Sequence, residues 1–316
     1  MNYISVDGGG TKLNAIWYDE HMNLLGCARA KGINGTITPK EECQKQMRDC
    51  FRQLFQDHPP KSVDVMYVTF GNGNEFAKCF PEEIELKQIC GIGEARGGLL
   101  AGRGRNTGFL ILSGTGSDAL YVGEKSSDYV GGLGQILGDE GSGVWLARQA
   151  VQGAVRHASG WGEETMLTEM LKTRLNLPKF PTDMVEYLYS SPSPFQKMGS
   201  LLPMVGEAAK AGDRMCHEVF IRGAYMLSRQ TIALIQRHDD FDNVITTCGG
   251  AWKAYQPMFD AYTQYMQEAY PGCHVYRPWF EHVIAGPMKT LLDQGYTPEK
   301  ARETLLKAFP AYEWRM

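Results

Sequence analysis

The sequence lacks several features that mark common classes of protein. The sequence of 316 residues contains no apolar run that approaches the length of roughly 18 residues that a membrane-spanning helix needs. The eight cysteines form no CxxC pair and the seven histidines form no HxxxH pair, so neither a zinc site nor a disulfide framework is expected. The first residues lack a basic stretch followed by an apolar one. We therefore expect no signal peptide and a cytoplasmic protein with reduced thiols.

The sequence also lacks a strong excess of charge of either sign. Lysine and arginine number 32 and acidic residues 36, which leaves a formal net charge of −4. Such a balance argues against general binding to nucleic acid or to an anionic membrane. Hydrophobic residues make up 43% and charged residues 22%, as in ordinary globular proteins, and the length predicts about two domains.

Glycine, by contrast, is plentiful, with 36 residues against a usual share of about 7%. Much of the excess falls in four clusters: DGGGTK at 7–12, LSGTGS at 112–117, GGLGQILGDEGSG at 131–143 and TCGGAW at 247–252. The first two clusters each separate two segments of strand character, which predicts two β-hairpins with glycine-rich turns.

Glycine-rich turns expose consecutive backbone N–H groups, which suits the binding of phosphate oxygens. Asp7 adds a carboxylate that can hold a hydrated Mg²⁺, and Thr11 and Lys12 add side-chain donors. The spacing matches neither GxxxxGKS/T nor a GxGxxG that opens a helix, so the sequence predicts neither a P-loop nor a dinucleotide-binding fold.

The remaining segments alternate between strand and helix patterns, which predicts an α/β protein. Thr38 and Glu41 form a capping box around Pro39, and the helix behind them should bury one apolar face. That face comprises Cys43, Met47, Cys50, Phe51, Leu54 and Phe55. Residues from about 160 to 235 have a mainly helical pattern.

The four glycine clusters, in this order, resemble the N-acetylglucosamine kinase family. That family belongs to the ATPases related to the benzoyl-CoA reductase activators (BadF/BadG/BcrA/BcrD), within the hexokinase–actin–heat-shock chaperone superfamily. The resemblance extends from residue 3 to about residue 290, and the GDEGSG segment after LSGTGS is its most specific part.

The resemblance implies a two-domain, actin-like ATPase fold of the ribonuclease H-like type. Each domain would hold a mixed five-stranded sheet with helices, and the nucleotide would bind in the cleft between the domains. We expect a first domain at 1–107, joined by the C-terminal helix 297–316. The second domain would span 108–296, with a helical insertion at about 160–240.

The resemblance also implies which residues bind ATP. Asp7 would serve Mg²⁺ through water, Thr11 and Thr115 would contact the triphosphate, and Gly249 and Gly250 would approach the adenosine. The full predicted nucleotide set is Asp7, Gly8, Gly9, Gly10, Thr11, Lys12, Ser113, Gly114, Thr115, Gly116, Gly249 and Gly250.

The sugar side is implied in the same way. Asn34, Asp139 and the loop residues Gly132, Leu133 and Gly134 match the family's substrate-binding positions. Carboxylate and amide groups suit adjacent sugar hydroxyls, and a wrong sugar would leave them unpaired. Simpler interpretations are that Asn34 stabilises a turn and that the Asp139–Glu140 pair caps the helix near 143.

The sequence departs from the family at two positions. The family carries a catalytic aspartate shortly before LSGTGS, and here Glu94 stands at that position, on the predicted glycine-flanked loop GIGEARGG. We predict that Glu94 is the catalytic base; the alternative is a surface ion pair with Arg96 or Arg103. Leu133 stands where the family's kinases often have tryptophan.

These features predict an ATP-dependent kinase that phosphorylates the 6-hydroxyl of an amino sugar, with N-acetylglucosamine favoured over glucosamine and N-acetylmuramate. ATP and Mg²⁺ are the expected cofactors, and a homodimer is left open. The alternatives are an ATPase that activates a dehydratase or reductase through a shared 4Fe–4S cluster, and a non-catalytic nucleotide or sugar sensor. A zinc-containing glucokinase is excluded, since its cysteine cluster is missing.

Overall fold

The computed structural model describes residues 1–33, 35, 38–56, 58–70 and 73–316. The strands are Asn2–Gly8 (β1), Lys12–Asp19 (β2), Leu24–Lys31 (β3), Ser62–Val63 (β4), Val65–Val68 (β5), Glu85–Leu86 (β6), Ile89–Gly91 (β7), Gly108–Ser113 (β8), Ser117–Val122 (β9), Ser127–Gly131 (β10), Val244–Cys248 (β11) and His274–Tyr276 (β12).

The α-helices are Lys40–Leu54 (α1), Gly73–Cys79 (α2), Glu94–Arg103 (α3), Gly134–Leu137 (α4), Gly143–Ala158 (α5), Leu167–Arg174 (α6), Asp183–Tyr189 (α7), Pro194–Gly199 (α8), Leu202–Lys210 (α9), Arg214–Ile235 (α10), Gln256–Ala269 (α11), Ala285–Asp293 (α12) and Pro298–Ala308 (α13). Single-turn 3₁₀ helices lie at Ala251–Lys253, His282–Ile284 and Pro310–Tyr312.

The chain forms two compact units. The first unit contains residues 1–110, 122–126 and 276–315, and the second contains 111–121, 127–275 and 316. The first unit thus includes residues 276–296 as well as most of the helix predicted at 297–316, and the predicted domain boundaries stay a prediction.

The first unit is built on a five-stranded mixed sheet of order β3-β2-β1-β5-β7. The pairs β1–β2 and β2–β3 are antiparallel, whereas β5 is parallel to both β1 and β7. Successive side chains of a strand point to opposite faces, so Tyr3 and Ile4 enter different cores. Ile4 packs in the core that includes residues of α1 and α2, and Tyr3 packs with residues of α3, α12 and α13. Helices therefore cover both faces of this sheet.

The second unit carries most of another five-stranded sheet, of order β10-β9-β8-β11-β12. The helices of residues 143–235 and 256–269 bury apolar side chains in this unit, with Leu146, Phe220 and Tyr262 fully inaccessible. Two five-stranded sheets with helices confirm the predicted α/β class. No helix in the described ranges is long and apolar enough to cross a membrane.

The predicted capping box of α1 is wrong, although the buried face of the helix is confirmed. The helix begins at Lys40, and Pro39 occupies the cap position with ψ of 146° and no side-chain acceptor. Thr38 therefore lies one position too early to cap. Cys43, Met47, Cys50, Phe51, Leu54 and Phe55 are all buried, as their helical spacing predicts.

Candidate active site

The DGGGTK cluster forms the turn between β1 and β2, as the sequence predicts. Asp7 lies opposite Asn14 in the antiparallel pair, and the Gly9 N–H donates to the Lys12 carbonyl at 2.9 Å. Most of β1 is buried, whereas Thr11 in the turn is exposed and Gly9 has open space where a side chain would stand. The turn therefore presents bare backbone at the end of a mostly buried hairpin.

A segment that follows β3 supports this turn. The Ile33 N–H donates to the Gly9 carbonyl at 3.0 Å. Gly32 packs so tightly that an added Cβ would stand 2.4 Å from the Gly10 carbonyl oxygen. Any side chain at position 32 would displace the turn, so its shape depends on a glycine outside the cluster. The neighbouring Asn34, a predicted sugar ligand, lies outside the described residues.

Asp7 is the last residue but one of β1, and it is only 7% exposed. The Thr69 hydroxyl donates to Asp7 Oδ1 at 3.0 Å, and His282 Nδ1 lies 3.6 Å from the same oxygen. Lys12, on the strand that leaves the turn, forms an ion pair with Glu281 at 3.2 Å. The residues around 282 thus contact both sides of the first glycine turn.

Glu94 opens helix α3 rather than lying on a loop, and it is half-buried. Burial raises the pKa of its carboxyl above the ordinary value, the neighbouring His282 lowers that pKa and the Asp7 carboxylate raises it further. A carboxyl with a raised pKa beside a second carboxylate is the arrangement expected of a general base next to a metal site.

The ion pairs that could have occupied Glu94 are not formed. Arg96 instead donates Nε to the Asn106 carbonyl at 3.3 Å. The Arg103 guanidinium lies over the rings of Tyr276 and Trp279, at 4.1 and 4.5 Å from their centroids. Both arginines therefore have other partners, and neither forms an ion pair with the Glu94 carboxylate.

His282 is the residue of this group that sequence reasoning missed. Its Nε2 lies 3.0 Å from the Glu94 backbone carbonyl, while its Nδ1 faces Asp7. It belongs to a single 3₁₀ turn far along the chain, outside any glycine cluster. No local pattern of sequence could have associated it with residues 7 and 94.

The second glycine turn, LSGTGS, joins β8 to β9 in the second unit. The Gly114 N–H donates to the Gly116 carbonyl at 2.9 Å and the Ser113 hydroxyl to the Gly141 carbonyl at 2.7 Å. The Gly143 N–H donates to the Gly114 carbonyl at 2.7 Å. The GDEGSG segment is thus bonded to this turn, which explains why the two motifs occur together.

Asp139 lies inside this arrangement, 5% exposed and with a left-handed φ of 58°. Gln135 Nε2 donates to Asp139 Oδ2 at 2.7 Å and to the Thr115 carbonyl at 2.8 Å. Burial raises the pKa of the Asp139 carboxyl, against hydrogen bonds from the backbone of Ser117 and Gly134 that lower it. In this structure Asp139 braces the glycine turn, and its predicted contact with a sugar remains a prediction.

Helix α5 is capped by Ser142 and not by the acids before it. Ser142 Oγ accepts the Trp145 N–H at 3.1 Å. Glu140 Oε2 accepts from Gln230 at 3.2 Å. The helix-capping interpretation of the Asp139–Glu140 pair is therefore wrong, because a serine side chain already occupies the cap position.

The predicted sugar loop presents apolar side chains to the surface of the second unit. Gly132 and Gly134 adopt left-handed φ values of 65° and 79°, and Leu133 between them is 59% exposed. Ile136 and Leu137, on the four-residue helix α4, are 84% and 76% exposed. The loop therefore holds Leu133 outward, where it can contact a ligand.

Gly249 and Gly250 follow β11 and differ in their surroundings. Gly249 has a φ of 103°, and a Cβ there would stand 2.2 Å from the Ser113 carbonyl oxygen. Gly250 has a φ of −79° and no atom near the place of its missing Cβ. The first glycine allows β11 to approach the second turn, and the second leaves an open surface.

No group of three or more histidine, cysteine, aspartate or glutamate side chains in the described ranges could hold a metal ion. A magnesium ion held mainly by water and phosphate needs only one or two protein carboxylates, however. Asp7 meets that need, because its Oδ2 has no donor among the described residues while Oδ1 is held by Thr69.

Comparison with known proteins identifies relatives over most of the chain. The sequence model of the BadF/BadG/BcrA/BcrD ATPase family matches residues 4–284. A protein of Clostridium acetobutylicum, named N-acetylmuramic acid/N-acetylglucosamine kinase, is 27% identical over 285 residues, or 86% of this chain and 92% of the relative. The N-acetyl-D-glucosamine kinase of Dictyostelium discoideum is 24% identical over 297 residues, with the same shares covered.

Among solved structures, one from Porphyromonas gingivalis, described as a candidate N-acetylglucosamine kinase, superposes with a TM-score of 0.73. The identity is 17%, and the match covers 93% of this chain and 100% of that one. At this identity the likeness concerns the fold alone, and it confirms the predicted two-domain, actin-like class.

Proposed function

Because the chain belongs to the BadF/BadG/BcrA/BcrD ATPase family, we propose that it is a kinase that transfers the γ-phosphoryl group of ATP to the 6-hydroxyl of an amino sugar. The two curated relatives named above as kinases of N-acetylated amino sugars support this substrate class. N-acetylglucosamine is the favoured substrate, since both names include it.

The observation that carries the proposal is the environment of the Glu94 carboxyl. A half-buried carboxyl with a raised pKa lies beside Asp7, and neither Arg96 nor Arg103 neutralises it. A structural glutamate at a helix start would be expected to pair or to face solvent. A base, in contrast, needs an unpaired carboxylate whose pKa lies nearer to neutral pH.

Glu94 would accept the proton of the sugar hydroxyl as that oxygen bonds to the γ-phosphorus. The bond between the γ-phosphorus and the oxygen that bridges to the β-phosphate breaks at the same time, and ADP leaves with the electron pair. Proton transfer to a placed carboxylate contributes about 10²–10⁴ to the rate. The remaining acceleration must come from positioning and from charge stabilisation.

Asp7 would hold the magnesium ion through water, using the Oδ2 atom that lacks a donor in the described part of the chain. When bound, the ion supplies positive charge that stabilises the transferring phosphoryl group. The Thr69 hydroxyl donates to Oδ1 and thereby fixes the orientation of the Asp7 carboxylate. The direction in which Oδ2 points is fixed with it.

The two glycine turns would bind the phosphates through backbone N–H groups, with Thr11, Lys12 and Thr115 at their edges. Gly250 has the open surface that a nearby adenosine requires. Asp139 and the outward Leu133, together with Asn34, would contact the sugar. The Asp139 carboxylate lies beside the second glycine turn, where a Cβ added to Gly116 would stand 3.0 Å from Oδ2.

The experiment that tests the proposal is a coupled assay of ADP release over a panel of hexoses and amino sugars. We expect release to depend on sugar and to be fastest with an N-acetylated amino sugar. Equal release with every sugar and with none would exclude a sugar kinase and leave the ATPase-activator or sensor interpretations.

A further inference from the structure

His282 contacts both acidic residues of the proposed site, Glu94 through its backbone and Asp7 through its carboxylate. Its Nε2 lies 3.0 Å from the Glu94 backbone carbonyl, and its Nδ1 lies 3.6 Å from Asp7 Oδ1. Asp7 is at the end of a strand and Glu94 at the start of a helix, so the imidazole bridges two elements that are separated in sequence.

In the contact between His282 Nε2 and the Glu94 carbonyl, the histidine must be the hydrogen-bond donor. A backbone carbonyl oxygen only accepts hydrogen bonds, so Nε2 must carry the proton that is donated to Glu94. Nδ1 is then the ring atom that faces Asp7. In a single ring orientation, Nε2 thus donates to the Glu94 carbonyl and Nδ1 lies beside the carboxylate of Asp7, the proposed magnesium ligand.

Helix α3 is shaped to admit the ring. A Cβ on Gly97 would stand 2.6 Å from His282 Nε2 and 3.0 Å from the Thr69 side chain. Glycine is unfavourable within a helix by about 1 kcal/mol relative to alanine, so its presence here requires a compensating contact. The approach of His282 to the Glu94 carbonyl is that contact.

The segment that carries His282 is held on both sides. The Ser5 hydroxyl donates to the Val283 carbonyl at 2.6 Å and accepts the Gly286 N–H at 3.2 Å, which ties the segment to β1. The Phe280 N–H donates to the Ala101 carbonyl at 3.2 Å, which ties it to α3. The imidazole therefore projects from a support that contacts the same two elements it bridges.

We propose that His282 is a positioning residue that sets the distance between the proposed base Glu94 and the proposed magnesium carboxylate Asp7. It acts on Glu94 through the backbone carbonyl and on Asp7 from the side of Oδ1. This proposal rests on the proposed function for its kinetic consequences, but not for its geometry.

Two conservative substitutions separate positioning from simple packing. The amide nitrogen of glutamine lies as many bonds from Cα as Nε2 of histidine, and the amide nitrogen of asparagine as many as Nδ1. His282→Gln can therefore keep the bond to the Glu94 carbonyl, whereas His282→Asn cannot. His282→Ala removes both contacts, and His21→Ala, at an exposed turn, is the matched control.

Steady-state kinetics with N-acetylglucosamine and MgATP should show a kcat about 10–100-fold lower in His282→Ala, with KM values nearly unchanged, as is typical when a supporting partner of an active-site ligand is lost. His282→Gln should recover most of kcat, and His282→Asn should not. His21→Ala should stay within about twofold of wild type, as surface substitutions usually do. A His282→Ala kcat within twofold of wild type, or equal recovery by Gln and Asn, would overturn the proposal.

Crystal structures of the same variants test the geometry independently of activity. The separation of the Asp7 and Glu94 carboxylates should match wild type in His282→Gln and change in His282→Ala. An unchanged separation in His282→Ala would overturn the positioning role. Absence of sugar-dependent ADP release from the wild-type protein would instead contradict the proposed function, while the structural comparison would still decide the role of His282.

Discussion

At Glu94 the protein keeps an ionisable group in a place that costs stability. Its carboxyl is half-buried, and burial together with the Asp7 carboxylate raises its pKa. Arginines on the same helix could have neutralised it, yet they bind elsewhere. Groups that destabilise the folded protein in this manner are concentrated in functional sites.

Replacement of the base tests this interpretation at one residue. Glu94→Gln should lower kcat at least about a hundredfold, since proton removal is worth about 10²–10⁴. The affinity for ATP, measured by calorimetry with a non-hydrolysable analogue, should change little. Glu94→Asp should also lose rate, because the shorter side chain withdraws the carboxylate from a helix start whose position is set by other contacts. A Glu94→Gln protein with wild-type kcat would remove this residue from the mechanism.

The raised pKa of Glu94 predicts that Glu94→Gln, which should lower activity, should raise stability. A carboxyl whose pKa is higher in the folded than in the unfolded protein is favoured when protonated, so its ionised form costs stability as pH rises through the folded pKa. Glu94→Gln should therefore melt at a higher temperature than wild type at pH 7. The difference should shrink as the pH falls toward the ordinary range of glutamate near 4.5. Melting curves at several pH values measure this, and a destabilised variant at pH 7 would contradict it.

The residues of the site differ in how far sequence could predict them. Asp7 and Glu94 lie in or near glycine clusters, and a family resemblance identifies both. His282 could not be found, because its role arises from a fold contact across 188 residues rather than from a local pattern. Gly97 gives a weak signal, since a glycine inside a helix needs a packing reason, but the sequence does not reveal which residue packs there.

At the scale of elements, the glycine turns combine two kinds of glycine that a sequence pattern cannot separate. Some permit close packing of backbone against backbone, as Gly249 does against Ser113. Others have open space at the position of the missing side chain, as Gly9 and Gly250 do. Only the second kind leaves bare backbone for a ligand.

The neighbouring glycines 249 and 250 therefore form a matched pair for mutation. Gly249→Ala should lower the free energy of unfolding by about 1–3 kcal/mol, because of its left-handed φ and the contact with the Ser113 carbonyl. Gly250→Ala should keep the melting temperature but weaken ATP binding about tenfold, or 1.4 kcal/mol. Calorimetric unfolding and nucleotide titration measure both effects. Unaltered ATP affinity in a folded Gly250→Ala protein would exclude an adenosine contact at this position.

The elements themselves were more predictable than their ends. The hairpins and the buried face of α1 follow from periodicity, because burial of one face dictates the spacing of apolar residues. The predicted cap of α1 is wrong, since Pro39 itself occupies the cap position. The glycines that flank Glu94 predict a loop, yet Gly93 with a φ of 80° directly precedes α3, which begins at Glu94.

At the scale of the whole molecule, the structure shows two compact units, each with a five-stranded sheet and one of the glycine turns. The residues alone could predict this duplication only as two similar hairpins, because the halves share little other sequence pattern. The two five-stranded sheets follow from the family resemblance. The domain boundaries assigned from the sequence stay a prediction. Residues 276–296 contact β1 and α3, which lie far away in the sequence, and no local pattern reveals such contacts.

The fate of the γ-phosphoryl group distinguishes a sugar kinase from every alternative considered. Phosphorus NMR of a reaction with MgATP and N-acetylglucosamine should show the lost γ-phosphorus as a phosphomonoester on the 6-hydroxyl, in equal amount to the ADP formed. The Glu94→Gln protein should form this product at least about a hundredfold more slowly. Inorganic phosphate as the sole product, in an amount that does not depend on the sugar, would contradict phosphoryl transfer and show that the protein is an ATPase.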